Sequence, residues 1–249
     1  MIFYEGPSLL DGKPIVGIVT GYNKKGSANA KTGRMLQTWI LRSDVHPAVA
    51  AANGDDYSIC GNCPHRSCPS TGRRRTCYVN VAYGPAAVYR AYQSGRYGRI
   101  SVYLSDTFYG YALRLGSYGD PAAIPEDSWN VLVRHCSSRT GYTHQWTAPF
   151  AQWLRLYAMA SCDSVTDYHD ALALGWKAFV VYNPNDHYTR RLLKLHKATP
   201  CPSSHEWIAA GKPKVSCEKC LKCDGTKASV MIAGHGSAKN RIGLAVVRS

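Results

Sequence analysis

Apolar positions along this chain gather into short runs of strand length, separated by polar stretches rich in turn residues. The first two, PIVGIVTGY (14–22) and MLQTWILR (35–42), flank NKKGSANAKTGR, whose Gly, Asn and Lys suit a long exposed turn. That pattern predicts an N-terminal β-hairpin. HPAVAAANGDD (46–56) reads as a short helical piece closed at Gly54, and together these segments form an expected extension over residues 1–55.

Residues 56–249 carry a different rhythm. TCYVNVAY (76–83) is an apolar run of buried-strand character, after which Gly84-Pro85 opens a helix, AAVYRAYQSG, with proline in the tolerated first turn. The alternation recurs: YALRLGSYGDP (111–121) as strand and loop, PEDSWNVLVRHC (125–136) as helix, and TGYTHQWT (140–147) as strand. LRLYAMASCDS (154–164) then reads as strand, SVTDYHDALALG (164–175) as helix and WKAFVVYNPND (176–186) as strand and loop. ASVMIAGHG (228–236) and RIGLAVV (241–247) give two late strands. Such alternation predicts an α/β fold with a parallel sheet, doubly wound or closed. About six βα units fall short of an eightfold ring, so the expected form is a TIM-like βα barrel, incomplete or decorated. No GxGxxG follows a strand and no GxxxxGK[ST] occurs, which removes the common phosphate loops.

In a parallel sheet the working face lies at the carboxyl ends of the strands. Those ends carry polar residues here, and Asp120, His144, Gln145, Ser161 and His235 are the candidate catalytic set. The plainer alternative makes Asp120, Asp163 and Asp186 helix caps and His144 a satisfied core histidine. It is the convergence of strand ends from distant parts of the chain that favours a pocket.

Charge narrows the partners. The chain carries a formal +14, with Arg73, Arg74 and Arg75 in one cluster and Arg190 and Arg191 in another. Such a field attracts polyanions, and these five arginines are the candidate phosphate contacts to nucleic acid. No stretch has the length and apolarity of a membrane span, and the N-terminus lacks the features of a secretory signal, so a cytoplasmic setting is expected.

In a reducing compartment the ten cysteines call for an explanation other than disulfides. Cys60, Cys63, Cys68 and Cys77 form one quartet, CxxCx4Cx8C. Cys201, Cys217, Cys220 and Cys223 form another, a Cys-Pro followed by CxxCxxC. Cys136 and Cys162 read as ordinary buried thiols. Zinc and iron–sulfur both suit the first quartet. In the second, the middle cysteine of CxxCxxC belongs to both turns, which suits a cluster offering a separate iron to each thiolate better than one tetrahedral ion. Lysines at 212, 214, 219, 222 and 227 surround this quartet, solvating the loop or stabilising its thiolates.

CPHRSCPSTGRRRTCYVNV followed by GPAAVYRAY, with RLGSYGDP, GYTHQW and MASCDS further on, resembles a group of uncharacterised bacteriophage cysteine-rich proteins distantly similar to radical-SAM barrels. The resemblance spans roughly residues 55–240. It implies a TIM-like barrel that binds iron–sulfur, of the 4Fe-4S type, in a phage-infected bacterial cell, and it implies no defined reaction. The CxxxCxxC triad of radical-SAM chemistry is absent, and a quartet with all four ligands engaged leaves no iron free for SAM.

Two functional expectations follow. One is an iron–sulfur enzyme acting by redox or radical chemistry on a phosphorylated or nucleic-acid substrate. The other is a zinc-stabilised nucleic-acid-binding protein without catalysis.

Overall fold

A computed structural model describes residues 1–22, 29–101 and 106–235. Three strands come first: β1 (Ile2–Pro7), β2 (Pro14–Thr20) and β3 (Leu36–Arg42). Helices α1 (Pro47–Asn53), α2 (Tyr57–Cys60) and α3 (Gly84–Gln93) follow. The chain then alternates: β4 (Ala112–Tyr118), α4 (Glu126–Val133), β5 (Ser138–Thr143), β6 (Met159–Cys162), α5 (Val165–Ala173), β7 (Ala178–Tyr182) and α6 (His187–Leu195). It ends with β8 (Thr199–Pro200), α7 (His205–Ala209), α8 (Cys217–Cys220) and β9 (Val230–Ala233). Short 3-10 segments at Pro121–Ala123 and Pro149–Leu156 replace helix between β4 and α4 and between β5 and β6.

All nine strands join one sheet in the order β1-β2-β3-β4-β5-β6-β7-β9-β8. β2 and β3 pair antiparallel, with Val16 opposite Leu41 and Thr20 opposite Gln37. β3 then pairs parallel with β4, so the N-terminal strands continue the sheet of the βα units. From β3 onward every pairing is parallel. Among the described residues the sheet begins at β1 and stops at β8, and it does not close into a ring. The expected closing strand, RIGLAVV, lies outside the described residues, as do positions 23–28 of the loop between β2 and β3.

The two faces of the parallel region have different partners. Because side chains alternate along a strand, Leu113, Leu115, Ala160, Cys162, Val180 and Met231 point to one side, into the main core. There they meet Trp129 and Leu132 of α4, Tyr168 and Ala171 of α5 and Leu193 of α6. Met159, Val230 and Ile232 point to the other side and form a smaller cluster with Tyr142, Phe179, Val181, Cys201 and Cys223. Cysteine-bearing segments, with the one-turn helices α2 and α8 among them, cover this second face.

One expected strand does not form. Residues 76–83 are irregular, and the backbone amides of Thr76 and Cys77 bond to the His65 carbonyl. A strand there would need a free ladder, and β3 and β4 already have a neighbour on each side. Val79 and Val81 instead lay their side chains against the main core. LRLY, read as the start of β6, is the end of the 3-10 segment, leaving β6 with Met159–Cys162. No helix among the described residues is long and apolar enough to cross a membrane.

Candidate metal centre

The cysteine-bearing face of the sheet floors a cavity of about 190 Å³. Seven thiols line it: Cys60, Cys63 and Cys77 from the first cysteine segment, and Cys201, Cys217, Cys220 and Cys223 from the second. None of the ten cysteines is in a disulfide.

The first segment is locked in place by buried charge. Asp56 stands at the entry to α2 with its side chain fully buried, and it receives Nε of Arg66 at 3.0 Å and Nη1 of Arg75 at 3.4 Å. Arg75 also donates to the Val79 carbonyl, so the cation tethers the chain on both sides of Cys77. Gly61 turns the backbone just after Cys60 with φ 54°, and a Cβ there would stand 2.6 Å from the Gln145 side chain. Gln145 in turn donates to the Cys60 carbonyl at 3.2 Å, fastening this loop to the end of β5.

Cys68 departs from its expected place in the first quartet. It lies outside the cavity, in a tight turn where its amide and carbonyl exchange hydrogen bonds with Arg73 and its sulfur sits 3.2 Å from Ser70 Oγ. The hydroxyls of Ser70 and Thr71 hold its thiol down at about 7, against an ordinary 9.

The second segment is gathered by different means. Cys201 is placed by β8, its amide bonding to the Met231 carbonyl at 3.0 Å. α8 carries Cys217 and Cys220 on one helical turn and docks on residues 31–34, through Cys217 N to Lys31 O at 2.9 Å and Arg34 N to Glu218 Oε2 at 2.9 Å. Leu221 then adopts φ 50°, an uncommon conformation for a residue with a side chain, and folds the chain back so that Cys223 also reaches the cavity. Lys227 secures the turn by donating to the Leu221 carbonyl and pairing with Asp224 at 2.9 Å. Burial, opposed by the Tyr142 hydroxyl and reinforced by the other three thiols, pushes Cys223 up to about 12. Burial first, then thiolate repulsion, likewise raises Cys201 and Cys217. Thiols crowded this way give up their protons readily only to a bound cation.

Beside Cys63 lies a hydrogen-bonded chain that sequence spacing conceals. Asp163, 4% exposed, receives His65 Nε2 at 2.7 Å on one oxygen and His144 Nε2 at 3.2 Å on the other. His65 Nδ1 is taken by Thr76 Oγ1 at 2.9 Å, and His144 lines the cavity together with Cys63. Burial alone would raise Asp163, but the two imidazoles outweigh it and hold the carboxyl well below its ordinary value. Burial would lower His144, and here Cys63 and Asp163 prevail and raise it. Asp163 is therefore not a cap. Ser164 takes that role for α5 by accepting from Asp167 N.

Asp120, His144, Ser161 and His235 do converge on the cavity lining. Gln145 stands behind it as a brace. Both oxygens of Asp120 are committed, to Ala122 N at 3.0 Å, His144 N at 2.8 Å and Gln145 Nε2 at 3.3 Å, so it caps and positions rather than facing a ligand freely. Asp186 is the helix cap the plainer reading expects, accepting from Thr189 N. His235 stacks on Tyr78 with ring centroids 4.9 Å apart.

Arg114 was not among the candidates. It points from β4 into the cavity floor, donates to the Tyr78 hydroxyl at 2.9 Å, and keeps a buried Nε without a partner among the described residues. An arginine inside the apolar run YALRLG is the visible sign of this role. Of the candidate phosphate contacts, Arg74 and Arg191 are exposed, Arg73 and Arg190 are half-buried, and Arg75 is consumed by Asp56.

Two cysteine groups, one metal fit. Among the described residues, the trio of potential ligands whose donor atoms all lie within 4.8 Å of one another is His65, His144 and Asp163; no three thiols meet that spacing. Zinc with Zn–S bonds of about 2.3 Å would draw its sulfurs to roughly 4 Å apart. A cluster that gives each thiolate its own iron holds them further apart. Comparison with known proteins returned no matching family model, no matching curated protein and no matching solved structure.

Proposed function

We propose that this chain is an iron–sulfur protein whose two cysteine groups flank one substrate cavity, and that it carries out redox or radical chemistry on a phosphorylated or nucleic-acid substrate. The observation that carries the reading is the convergence of seven unbridged thiols on a single cavity over one sheet face. Among the described residues no three of these thiols lie within 4.8 Å of one another, wider than a zinc tetrahedron holds them. Cys201, Cys217, Cys220 and Cys223 would hold one cluster, and Cys60, Cys63 and Cys77 would hold the other. A 4Fe-4S group bound there supplies one-electron transfer.

The chain's own residues supply the surroundings. Arg114 and Lys31 bring positive charge to the cavity wall, which offsets thiolate charge and suits an anionic substrate. Asp163 orients His144 and His65 beside Cys63, and Asp120 with Gln145 fixes the loop that bears Cys60. The parallel strands β3 to β7 follow one another in sequence order, as in a βα barrel wall, which supports the incomplete-barrel description.

The test is oxygen-free purification with iron, zinc and acid-labile sulfide determined together. A brown protein with iron and sulfide in equal amounts is expected. A colourless, zinc-only protein that binds nucleic acid in a salt-sensitive way would replace this reading with the zinc-stabilised binding protein.

A further inference from the structure

We infer that His144, not Cys68, is the fourth protein ligand of the first metal group, completing a three-cysteine, one-histidine set with Cys60, Cys63 and Cys77. The inference rests on the iron–sulfur reading and refines it at one of the two groups.

Three observations point to His144. First, Cys68 is held outside the cavity by the hydrogen bonds it exchanges with Arg73, so the sequence quartet arrives one ligand short. Second, His144 lines the same cavity as Cys60, Cys63 and Cys77, which it reaches from the end of β5. Third, His144 Nε2 is directed to Asp163 Oδ2 at 3.2 Å. Metal-binding histidines commonly turn one ring nitrogen to a carboxylate, which fixes the tautomer and makes the other nitrogen a better ligand. Asp163 leaves Nδ1 of His144 for this purpose.

The neighbouring imidazole does not compete. His65 has both ring nitrogens engaged, Nε2 with Asp163 at 2.7 Å and Nδ1 with Thr76 Oγ1 at 2.9 Å. Asp163 has both oxygens engaged by the two histidines. Both histidines line the cavity, and within the trio His144 is the one with a ring nitrogen that neither Asp163 nor Thr76 takes. Histidine in place of one thiolate lowers the negative charge of a cluster and raises its potential, which sets this group apart from the all-cysteine group across the cavity.

The test uses the full chain reconstituted with ferrous iron and sulfide under anaerobic conditions, reduced with dithionite and examined by pulsed EPR with selectively 15N-labelled histidine. Wild type, C68S and H65Q are expected to show a strongly coupled histidine nitrogen at full iron load. H144C is expected to keep its iron and lose that coupling, and H144A to lose the first group's iron while the second group's signal persists. That persistence separates loss of a ligand from loss of the fold. If C68S loses iron, or the nitrogen coupling is unchanged in H144C, the assignment is overturned while the iron–sulfur reading stands. If the wild type takes up no iron and sulfide, the iron–sulfur reading itself falls, and the assignment with it.

Discussion

The two cysteine groups reach the same cavity by opposite routes. The first is compact in sequence, yet it delivers three of its four thiols, because residues 68–73 close into their own turn and carry Cys68 away. The second draws Cys201 from sixteen residues upstream of Cys217 and delivers all four, because β8, α8 and the left-handed Leu221 each aim a cysteine inward. Sequence proximity is therefore a poor guide to which thiols cooperate. What decides is whether the backbone hydrogen bonds of each loop are spent on the cavity wall or within the loop.

The comparison is broken most forcefully by serine scanning. Replacing Cys217, Cys220 or Cys223 should remove a whole group's iron and sulfide, whereas C68S should leave the metal content at the wild-type level; inductively coupled plasma analysis of anaerobic protein checks both. A loss in C68S as large as that in C220S would erase the asymmetry.

Next in size is the buried charge behind the first group. Asp56→Ala leaves Arg66 and Arg75 buried without their carboxylate, and it should cost about 3–5 kcal/mol in urea unfolding. Among the described residues the second group has no such buried pair behind it, so neutralising the more exposed Lys227–Asp224 pair should cost under about 1 kcal/mol.

The two loop glycines sharpen the contrast. Gly225 has φ 84°, and a Cβ there would meet the backbone oxygens of Ala158 and Arg155 at 2.6 Å. Gly61 meets the Gln145 amide, which is buried and bonded to the Cys60 carbonyl and Asp120. Gly225→Ala should therefore cost about 2–3 kcal/mol by clash with fixed backbone, and Gly61→Ala about as much by displacing that brace, compared by the same unfolding curves.

The smallest effect is chemical. With its thiol held at about 7, Cys68 is mostly thiolate at pH 8, where an ordinary thiol near 9 is still mostly protonated. Its alkylation by iodoacetamide should rise to half its maximum near pH 7 and be the fastest in the chain. A midpoint near 9, read by peptide mass spectrometry, would remove Ser70 and Thr71 as the cause.

Much of the fold was legible because its signals are local. Gly54 closes α1, proline and glycine bracket α3, and the apolar runs at β4, β5, β7 and β9 stand where the pattern puts them. TCYVNVAY misled because its apolar residues suggested a buried strand, whereas it is an irregular segment with no strand edge left to join, where Val79 and Val81 pack on the core and Tyr78 and Tyr83 are exposed. Of the site, the strand-end residues His144, Ser161 and His235 were readable from the rule that parallel strands work at their carboxyl ends. His65 was not, since its partner Asp163 lies 98 positions away and nothing in CPHRSC announces the pairing. Asp163 itself looked like a cap, and Ser164 next to it provides one.

The central claim is that both cysteine groups hold iron with sulfide. Mössbauer spectroscopy of 57Fe-reconstituted, oxygen-free protein, with sulfide and zinc measured on the same sample, tests it most directly. The account predicts two cubane signatures, one of which disappears in C220S while the other persists. Zinc at both groups without sulfide, or iron that remains unchanged when Cys220 is replaced, would contradict it.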